Sequence, residues 1–252
     1  MLHSLPGTLP HFLFEACGYG IGAGVYWRAA AKQLLPPRHD DRLVLLAGAI
    51  CGALIGSKLL HVAEHLPTLW RANDWSLWLG GKSLLGGLLG GTLGVEMAKH
   101  HLGWSRPTGD AWVPALAVGI IVGRIGCQLS GLWDLTYGTP TALPWAWNYG
   151  DGIGRHPTAL YEMACVALLW AGVSRWVPSA PGARFAAFLL GYCAIRFLLE
   201  FMKPPFDGEQ TAILPVALYA GLTAIQWAAV IGAGYFAFSL SRRFSSATLG
   251  AT

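Results

Sequence analysis

Long apolar stretches recur along the whole chain, and they constrain its fold more than any other feature. Each is close to the roughly 20 residues that a helix needs to cross a bilayer. Hydrophobic residues make up 54% of the chain and charged residues 12%, whereas a soluble domain carries about 25% charged residues. The runs are continuous rather than alternating, which favours helices over a barrel. We predict an all-α integral membrane protein, a single polytopic domain (1–252) with about seven transmembrane helices. The predicted spans are 11–30, 43–66, 84–101, 111–130, 158–177, 184–202 and 212–240.

The positive charges predict the orientation of these spans, because cytoplasmic loops are enriched in Lys and Arg. Ten of the 17 Lys and Arg fall on one side of the predicted topology. These ten are Arg28, Lys32, Arg38, Arg42, Lys99, Arg106, Arg175, Arg184, Arg242 and Arg243. We therefore place the amino terminus outside and the carboxyl terminus in the cytoplasm. The net charge of +4 follows from this distribution and does not indicate nucleic-acid binding.

The segment 132–157 is a long outside loop. It carries Trp133, Trp145 and Trp147 amid several glycines and prolines. Loops beyond about 12–15 residues in a compact domain are usually functional or disordered. The aromatic anchors and turn residues favour an ordered lid.

Glycines spaced four residues apart, in 18–24 and 86–94, predict close helix packing. Lipid provides no hydrophobic drive between helices, so small residues that let backbones approach are one way to hold a bundle together. The alternative for Gly86 and Gly87 is that they let a lipid headgroup approach the backbone. We interpret the five cysteines, which lie in or beside spans without CxxC spacing, as packing residues as well.

Three arginines in or beside predicted spans mark a candidate site. Arg124 lies at the end of the fourth span, Arg155 at the start of the fifth and Arg196 within the sixth. A cation in a membrane costs roughly 2.5–3.5 kcal/mol on insertion scales, so it normally faces a protein interior or a wet cavity. A guanidinium offers a planar fork to phosphate oxygens. We predict that the arginines together bind an anion; for each alone, snorkelling or a structural ion pair is the alternative.

Polar neighbours extend this candidate site. Tyr192 and Glu200 each lie four residues from Arg196, on one helical face, so Glu200 could pair with the arginine. His156 precedes Pro157, which suits the first turn of a helix. We interpret His156 either as a base or as a turn residue bonded to the backbone.

One segment matches a metal-binding pattern. His61-Val62-Ala63-Glu64-His65 fits the HxxEH pattern of some zinc peptidases. The match is short, no third ligand is evident, and polar residues also suit the membrane surface. We predict no metal and no cofactor.

Three segments, in order, resemble motifs of the prolipoprotein diacylglyceryl transferase family. Residues 123–131, GRIGCQLSG, are similar to its GRIGNFINGE signature. Residues 155–162, RHPTALYE, are similar to its RHPSQLYE segment, and residues 196–204, RFLLEFMKP, to its RFxxEFxRxPD segment. The resemblance covers most of the chain.

This resemblance implies a multi-pass transferase of the bacterial inner membrane, with the loop 132–157 in the periplasm. The family moves the diacylglyceryl group of phosphatidylglycerol to the lipobox cysteine thiol of a prolipoprotein. The implied catalytic residues are Arg124 and Arg196 as the phosphate-binding pair, with Glu200 and His156. The implied substrate-binding residues are Arg155, Tyr192, Tyr161, Glu162, Gly86, Gly87, Ser130 and Gly131.

The chain departs from the family pattern at three places. Leu85 takes the position of a histidine that is considered important in the family, and Cys127 stands where the signature has asparagine. Leu132 replaces an acidic residue, although Asp134 is near. The proton acceptor must then be another group, for which the candidates are His156, Glu200 and His61. The alternatives are a related lipid transfer to a different acceptor and a non-catalytic phospholipid-binding homologue.

Overall fold

The computed structural model describes residues 9–31, 35–36, 38–72, 77–78, 80–178, 180–203 and 216–249. Among these residues, each of the seven predicted stretches overlaps one α-helix. The helices are α1 (Leu9–Ala30), α2 (His39–Ala72), α3 (Leu84–His101), α4 (Trp112–Ser130), α5 (Thr158–Trp176), α6 (Ala183–Glu200) and α7 (Ala224–Leu249). Of these helices, three contain segments long and apolar enough to cross a membrane, within His39–Arg71, Trp112–Trp133 and Ala224–Phe244. The protein is a mainly helical membrane protein.

The chain divides into two compact units. The first comprises Met1–Gln33, Thr108–Pro204 and Phe236–Thr252, and the second comprises Leu34–Pro107 and Pro205–Tyr235. Helices α1, α4, α5 and α6 lie in the first unit, and α2 and α3 lie in the second.

In the second unit, α2 and α3 pack through their glycines. Each helix presents three glycines at four-residue spacing to the other. They are Gly48, Gly52 and Gly56 on α2, and Gly86, Gly90 and Gly94 on α3. A Cβ atom added at any of the six would come within 3.0 Å of a carbonyl oxygen on the facing helix. The packing expected from the run 86–94 is therefore present, and it depends on the absence of side chains.

The predicted start of the seventh span, at residue 212, is wrong. Residues 212–215 lie outside the described part of the chain, and the strands β3 (Leu218–Tyr219) and β4 (Leu222–Thr223) form a hairpin before α7. Its two-residue turn has positive φ at Ala220 (51°) and Gly221 (82°), which suits a tight hairpin. The helix then begins with a capping box, in which the Thr223 side chain accepts from the Gln226 amide and the Gln226 side chain accepts from the Thr223 amide.

In the first unit, α1 packs against α4, again through small residues. A Cβ at Gly18 would lie 3.0 Å from the Gly119 carbonyl oxygen, and one at Gly22 would lie 3.3 Å from that of Ala115. Only one of the two predicted glycine faces is used in this way. A Cβ at Gly20 or Gly24 would meet no described atom within 4 Å.

The amino terminus of α6 is fixed by a carboxylate from the chain before α4. Asp110 accepts hydrogen bonds from the backbone amides of Gly182 (2.6 Å) and Phe185 (2.9 Å). These amides have no partner within the helix, and the negative charge also suits the helix dipole. The contact positions α6, which carries several of the candidate site residues.

The loop 132–157 has regular structure, as predicted. After the 3₁₀ turn Gly131–Trp133 it forms a hairpin from β1 (Trp147–Asn148) and β2 (Gly154–Arg155). The Asn148 side chain accepts from the amides of Gly150 and Gly152, which closes the turn between the strands. The Thr139 amide donates to the Met202 carbonyl at 2.7 Å, so the loop is tied to the residues that follow α6.

Candidate active site

A buried carboxylate, Glu162 of α5, is the centre of a polar cluster among three helices. Arg124 of α4 places Nη2 3.0 Å from Glu162 Oε1 and 2.9 Å from Oε2. Arg196 of α6 places Nη1 3.1 Å from Glu162 Oε2. The Tyr192 hydroxyl donates to Glu162 Oε1 at 2.7 Å. Both predicted phosphate-binding arginines therefore meet on one carboxylate.

A second carboxylate extends this cluster along α6. Glu200 accepts from Arg196 Nη2 at 3.1 Å, as its four-residue spacing predicted, and lies 3.8 Å from Lys203 Nζ. The cluster thus contains three cations and two carboxylates, which leaves one excess positive charge. A buried ion cluster of this kind is weak evidence for stability, because desolvation offsets the attraction. The excess charge makes the cluster suitable for an anion.

Two buried donors on α4 have no acceptor among the described residues. They are Arg124 Nε and Gln128 Nε2. The two residues are four apart and lie on one face of the helix. The Gln128 side-chain oxygen accepts from the Tyr149 hydroxyl at 3.1 Å, which leaves its amino group as the donor without an acceptor. A buried donor without a partner costs about 1–3 kcal/mol, so a ligand that supplies acceptor oxygens here would bind favourably.

Comparison with known proteins decides the family. The model of the family described as prolipoprotein diacylglyceryl transferase matches residues 12–240. The chain belongs to the prolipoprotein diacylglyceryl transferase family. A Bordetella parapertussis protein named phosphatidylglycerol–prolipoprotein diacylglyceryl transferase is 35% identical over 215 residues, 77% of this chain and 76% of the relative. A Cupriavidus necator protein of the same name is 32% identical over 225 residues, 79% of this chain and 78% of the relative.

The three segments that resemble motifs of the diacylglyceryl transferase family supply the charged residues of the cluster. The segment 123–131 provides Arg124, the segment 155–162 provides Glu162, and the segment 196–204 provides Arg196. Tyr192, which the sequence places on the same helical face as Arg196, donates its described hydrogen bond to Glu162. Residue roles in catalysis and binding stay predictions, and the geometry brings these side chains together.

Two further predicted residues lie at the carboxyl end of α4. The buried Ser130 hydroxyl accepts from the His11 amide at 3.0 Å and so links α4 to the start of α1. Gly131 ends the helix with φ of 58°, a conformation that favours glycine, and a Cβ there would lie 3.2 Å from the Tyr149 ring. Both positions are explained by the close approach of other segments.

Arg155, His156 and Tyr161 are the other predicted site residues of the first unit. The contacts described for them lie in and beside the loop 132–157. The guanidinium of Arg155 pairs with Asp151 at 2.7 Å and lies over the Tyr137 ring. The hydrogen bond between them raises the pKa of Arg155 and lowers the pKa of Asp151. His156 Nδ1 lies 3.3 Å from the hydroxyl of Tyr161.

Gly86 and Gly87 belong to the second unit. Gly86 lies in the helix interface, where an added Cβ would overlap the Gly56 carbonyl, whereas one at Gly87 would make ordinary contacts with Ala53 and Ser57. The HxxEH residues also lie in this unit, with the rings of His61 and His65 4.8 Å apart. A role for either glycine in lipid binding stays a prediction.

Sequence reasoning missed a second polar cluster in the first unit. His11 Nδ1 lies 2.6 Å from Asp134 Oδ1, and the thiol of Cys127 lies 3.8 Å from the same nitrogen. Burial alone would raise the pKa of Asp134, but hydrogen bonds from His11 and Thr136 lower it below its ordinary value. His11 and Cys127 are 116 residues apart, so no local pattern indicated the contact. Gln128 was also missed, although its spacing from Arg124 was a usable signal.

Proposed function

We propose that this chain is a membrane-embedded transferase that moves the diacylglyceryl group of phosphatidylglycerol to the lipobox cysteine thiol of a prolipoprotein and releases glycerol phosphate. Family membership and the names of the relatives support this reaction. The observation that carries it within the chain is the pair of arginines on Glu162, together with the donors of Arg124 and Gln128 that have no described acceptor.

The chemistry uses these groups in a defined way. The acceptor sulfur forms a bond to the glycerol carbon while the bond from that carbon to the phosphate oxygen breaks. The phosphate leaves with the electron pair and gains negative charge. Fixed cationic donors at the position of the developing charge stabilise the transition state more than the ground state. Arg124 and Arg196 serve this role, and Gln128 adds a neutral donor.

The carboxylates hold the arginines in place. Glu162 contacts both guanidiniums, so it fixes their separation. Glu200 contacts the second terminal nitrogen of Arg196, Nη2, and fixes its position. Tyr192 in turn orients Glu162. We assign Arg155, His156 and Tyr161 to the edge of the proposed lipid-binding site, as the family segment implies.

The proposed topology has seven spans, with the amino terminus outside, the carboxyl terminus in the cytoplasm and the loop 132–157 in the periplasm of a bacterial inner membrane. The helix bounds and the distribution of Lys and Arg support it. Trp133, Trp145 and Trp147 are exposed on the loop, which suits residues at a membrane interface.

The test is a transfer assay in phosphatidylglycerol liposomes with a lipobox peptide, read by mass spectrometry. Arg124→Ala should lower turnover by about 100- to 1,000-fold, as loss of a transition-state donor does, while the protein stays inserted. Arg175→Ala, which removes an exposed arginine at the end of α5, is the matched control and should keep full turnover. Unchanged turnover in Arg124→Ala would remove the phosphate role.

One observation favours a second candidate, a lipid transfer to a different acceptor. Leu85 is fully buried and occupies the position of the family histidine. Release of glycerol phosphate from phosphatidylglycerol without a lipidated lipobox peptide would support this candidate. Retained phospholipid binding without any turnover would instead indicate a non-catalytic homologue.

A further inference from the structure

Three side chains that can bind a metal ion converge at one end of the first unit. His11 comes from the first turn of α1, Cys127 from the last turn of α4, and Asp134 from the residue after the 3₁₀ turn. One ligand atom of each lies within 4.8 Å of the others. Together they form an imidazole, thiolate and carboxylate set, which is typical of zinc.

The distances are close to those of tetrahedral zinc. With bonds of about 2.1 Å to nitrogen or oxygen and about 2.3 Å to sulfur, a nitrogen and a sulfur ligand lie about 3.6 Å apart, and a nitrogen and an oxygen ligand about 3.4 Å. His11 Nδ1 lies 3.8 Å from Cys127 Sγ and 2.6 Å from Asp134 Oδ1. The contact between His11 and Asp134 must open by less than about 1 Å on this geometry, and the three ligand atoms lie within 4.8 Å of one another.

Two of the three ligands also have an outer partner of the kind that metal sites use. The second nitrogen of His11, Nε2, lies 3.5 Å from Glu15 Oε2. Asp134 accepts from the Thr136 hydroxyl at 2.7 Å. A histidine ligand that donates to a carboxylate, and a carboxylate ligand that accepts a hydrogen bond, are the usual second layer of a zinc site. This layer fixes His11 with Nδ1 toward Cys127 and Asp134.

A cavity lies beside two of the ligands, His11 and Asp134. Its volume is about 60 Å³, and its lining is His11, Phe12, Ser130, Trp133 and Asp134. A single water needs roughly 10–15 Å³ by the same kind of measure. Catalytic zinc has three protein ligands and keeps a fourth position for water or substrate.

Arg124 connects this cluster to the candidate active site. Its Nη1 lies 3.6 Å from Cys127 Sγ, while its Nη2 contacts Glu162. A group bound between Cys127 and Asp134 is therefore near the guanidinium to which we assign the lipid phosphate.

We propose that His11, Cys127 and Asp134 bind a zinc ion whose fourth position takes the acceptor thiol. This inference rests on the proposed function and replaces the sequence-based prediction that the chain has no metal. It assigns the thiol activation that the family histidine, here Leu85, cannot supply. Cys127, where the family signature has asparagine, is part of the same change.

The proposed step begins with a proton transfer and ends with the transfer of the diacylglyceryl group to sulfur. A zinc-bound hydroxide takes the proton of the acceptor thiol and leaves as water, and the sulfur replaces it on zinc as a thiolate, since a coordinating thiol is deprotonated. The thiolate sulfur then forms its bond to the glycerol carbon. The bond from carbon to the phosphate oxygen breaks, and the electron pair leaves with the phosphate beside Arg124.

The first experiment measures metal binding without the reaction. Tag-free protein in detergent is equilibrated with zinc, desalted and analysed for metal, and cobalt is used in parallel for its thiolate charge-transfer absorption. We expect one zinc per chain, a cobalt–thiolate band, and loss of both in Cys127→Ser and Asp134→Asn. Glu15→Gln should weaken zinc affinity by about 10- to 100-fold. Cys17→Ser, which removes an exposed thiol of α1, should bind normally.

The second experiment joins metal to transfer. In the liposome assay, chelation should abolish peptide lipidation, and zinc should restore it. Transfer by chelated, metal-free protein would overturn the zinc inference and leave the proposed function standing. Zinc binding unchanged in Cys127→Ser and Asp134→Asn would also overturn the site. Specific zinc binding without any lipid transfer would support the site while the proposed function fails.

Discussion

Two groups of helices, one in each unit, are held together in opposite ways. In the second unit, α2 and α3 meet backbone to backbone through six glycines. In the first unit, α4, α5 and α6 meet through Arg124, Glu162 and Arg196. Both arrangements answer the lack of a hydrophobic drive between helices in lipid. The first depends on close backbone approach, whereas the second depends on ion pairs between buried side chains.

The comparison indicates where the chain tolerates change. A glycine interface is disturbed by added atoms, and a charged cluster is disturbed by lost atoms. Removing one member of a buried ion cluster leaves an uncompensated charge, which costs more than a local steric clash. Substitutions in the two groups of helices test this difference, and the largest effect is expected in the buried ion cluster.

Glu162→Gln should destabilise the protein by about 3–5 kcal/mol, because two buried guanidiniums lose their shared counter-charge. The measurement is the denaturant midpoint in detergent micelles. Glu96→Gln, which changes a half-exposed carboxylate paired with Lys99, should cost less than about 1 kcal/mol. Equal effects of the two substitutions would contradict the assigned importance of the buried cluster.

Tyr192→Phe should cost about 1.5–3 kcal/mol, the usual value of a hydrogen bond to a charged group. It removes the buried 2.7 Å bond to Glu162. Tyr19→Phe removes a bond of the same kind and length, from an exposed tyrosine to Glu15. Its effect on the midpoint should be clearly smaller, and a similar shift for both would mean that burial does not strengthen the interaction.

Gly52→Ala should cost about 1–3 kcal/mol through overpacking, offset in part by the gain of about 0.5–1 kcal/mol in helix propensity. Its methyl group would overlap the Gly90 carbonyl. Gly20→Ala adds a methyl group that meets nothing within 4 Å and should leave stability unchanged or slightly raised. A stabilised Gly52→Ala would show that α2 and α3 separate without cost.

Asp151→Asn should change stability by no more than about 1 kcal/mol, because Asp151 is exposed in its pair with Arg155. The folded-state pKa of Asp151 is lowered by its hydrogen bond with Arg155, so the pair contributes above the unfolded pKa and is lost as the pH falls through the folded value. Hydrogen exchange of the hairpin, corrected for intrinsic rates, should therefore show less difference between Asp151→Asn and the parent protein in acid. A constant difference would contradict the assignment.

The sequence predicted the helices well because spanning a bilayer requires long apolar runs, which need no knowledge of contacts. It placed the start of the seventh helix too early, because apolar residues continue through the β3–β4 hairpin. The sequence signals of this hairpin were Gly221 and the capping pair Thr223 and Gln226. Glu162 was predicted as a substrate-binding residue, and its position between two arginines depends on how three helices pack. The approach of His11 to Asp134 depends on chain segments far apart in sequence, which a single sequence does not reveal.

The hydrogen bond from Thr139 to Met202 has a mechanical consequence. Arg196 and Glu200 lie near the carboxyl end of α6, and this bond ties the residues that follow α6 to the loop 132–157. A tilt of α6 would move the loop 132–157, and a displacement of this loop would in turn strain α6. Movements of the loop and of the helix that carries Arg196 and Glu200 are thereby coupled through this backbone hydrogen bond.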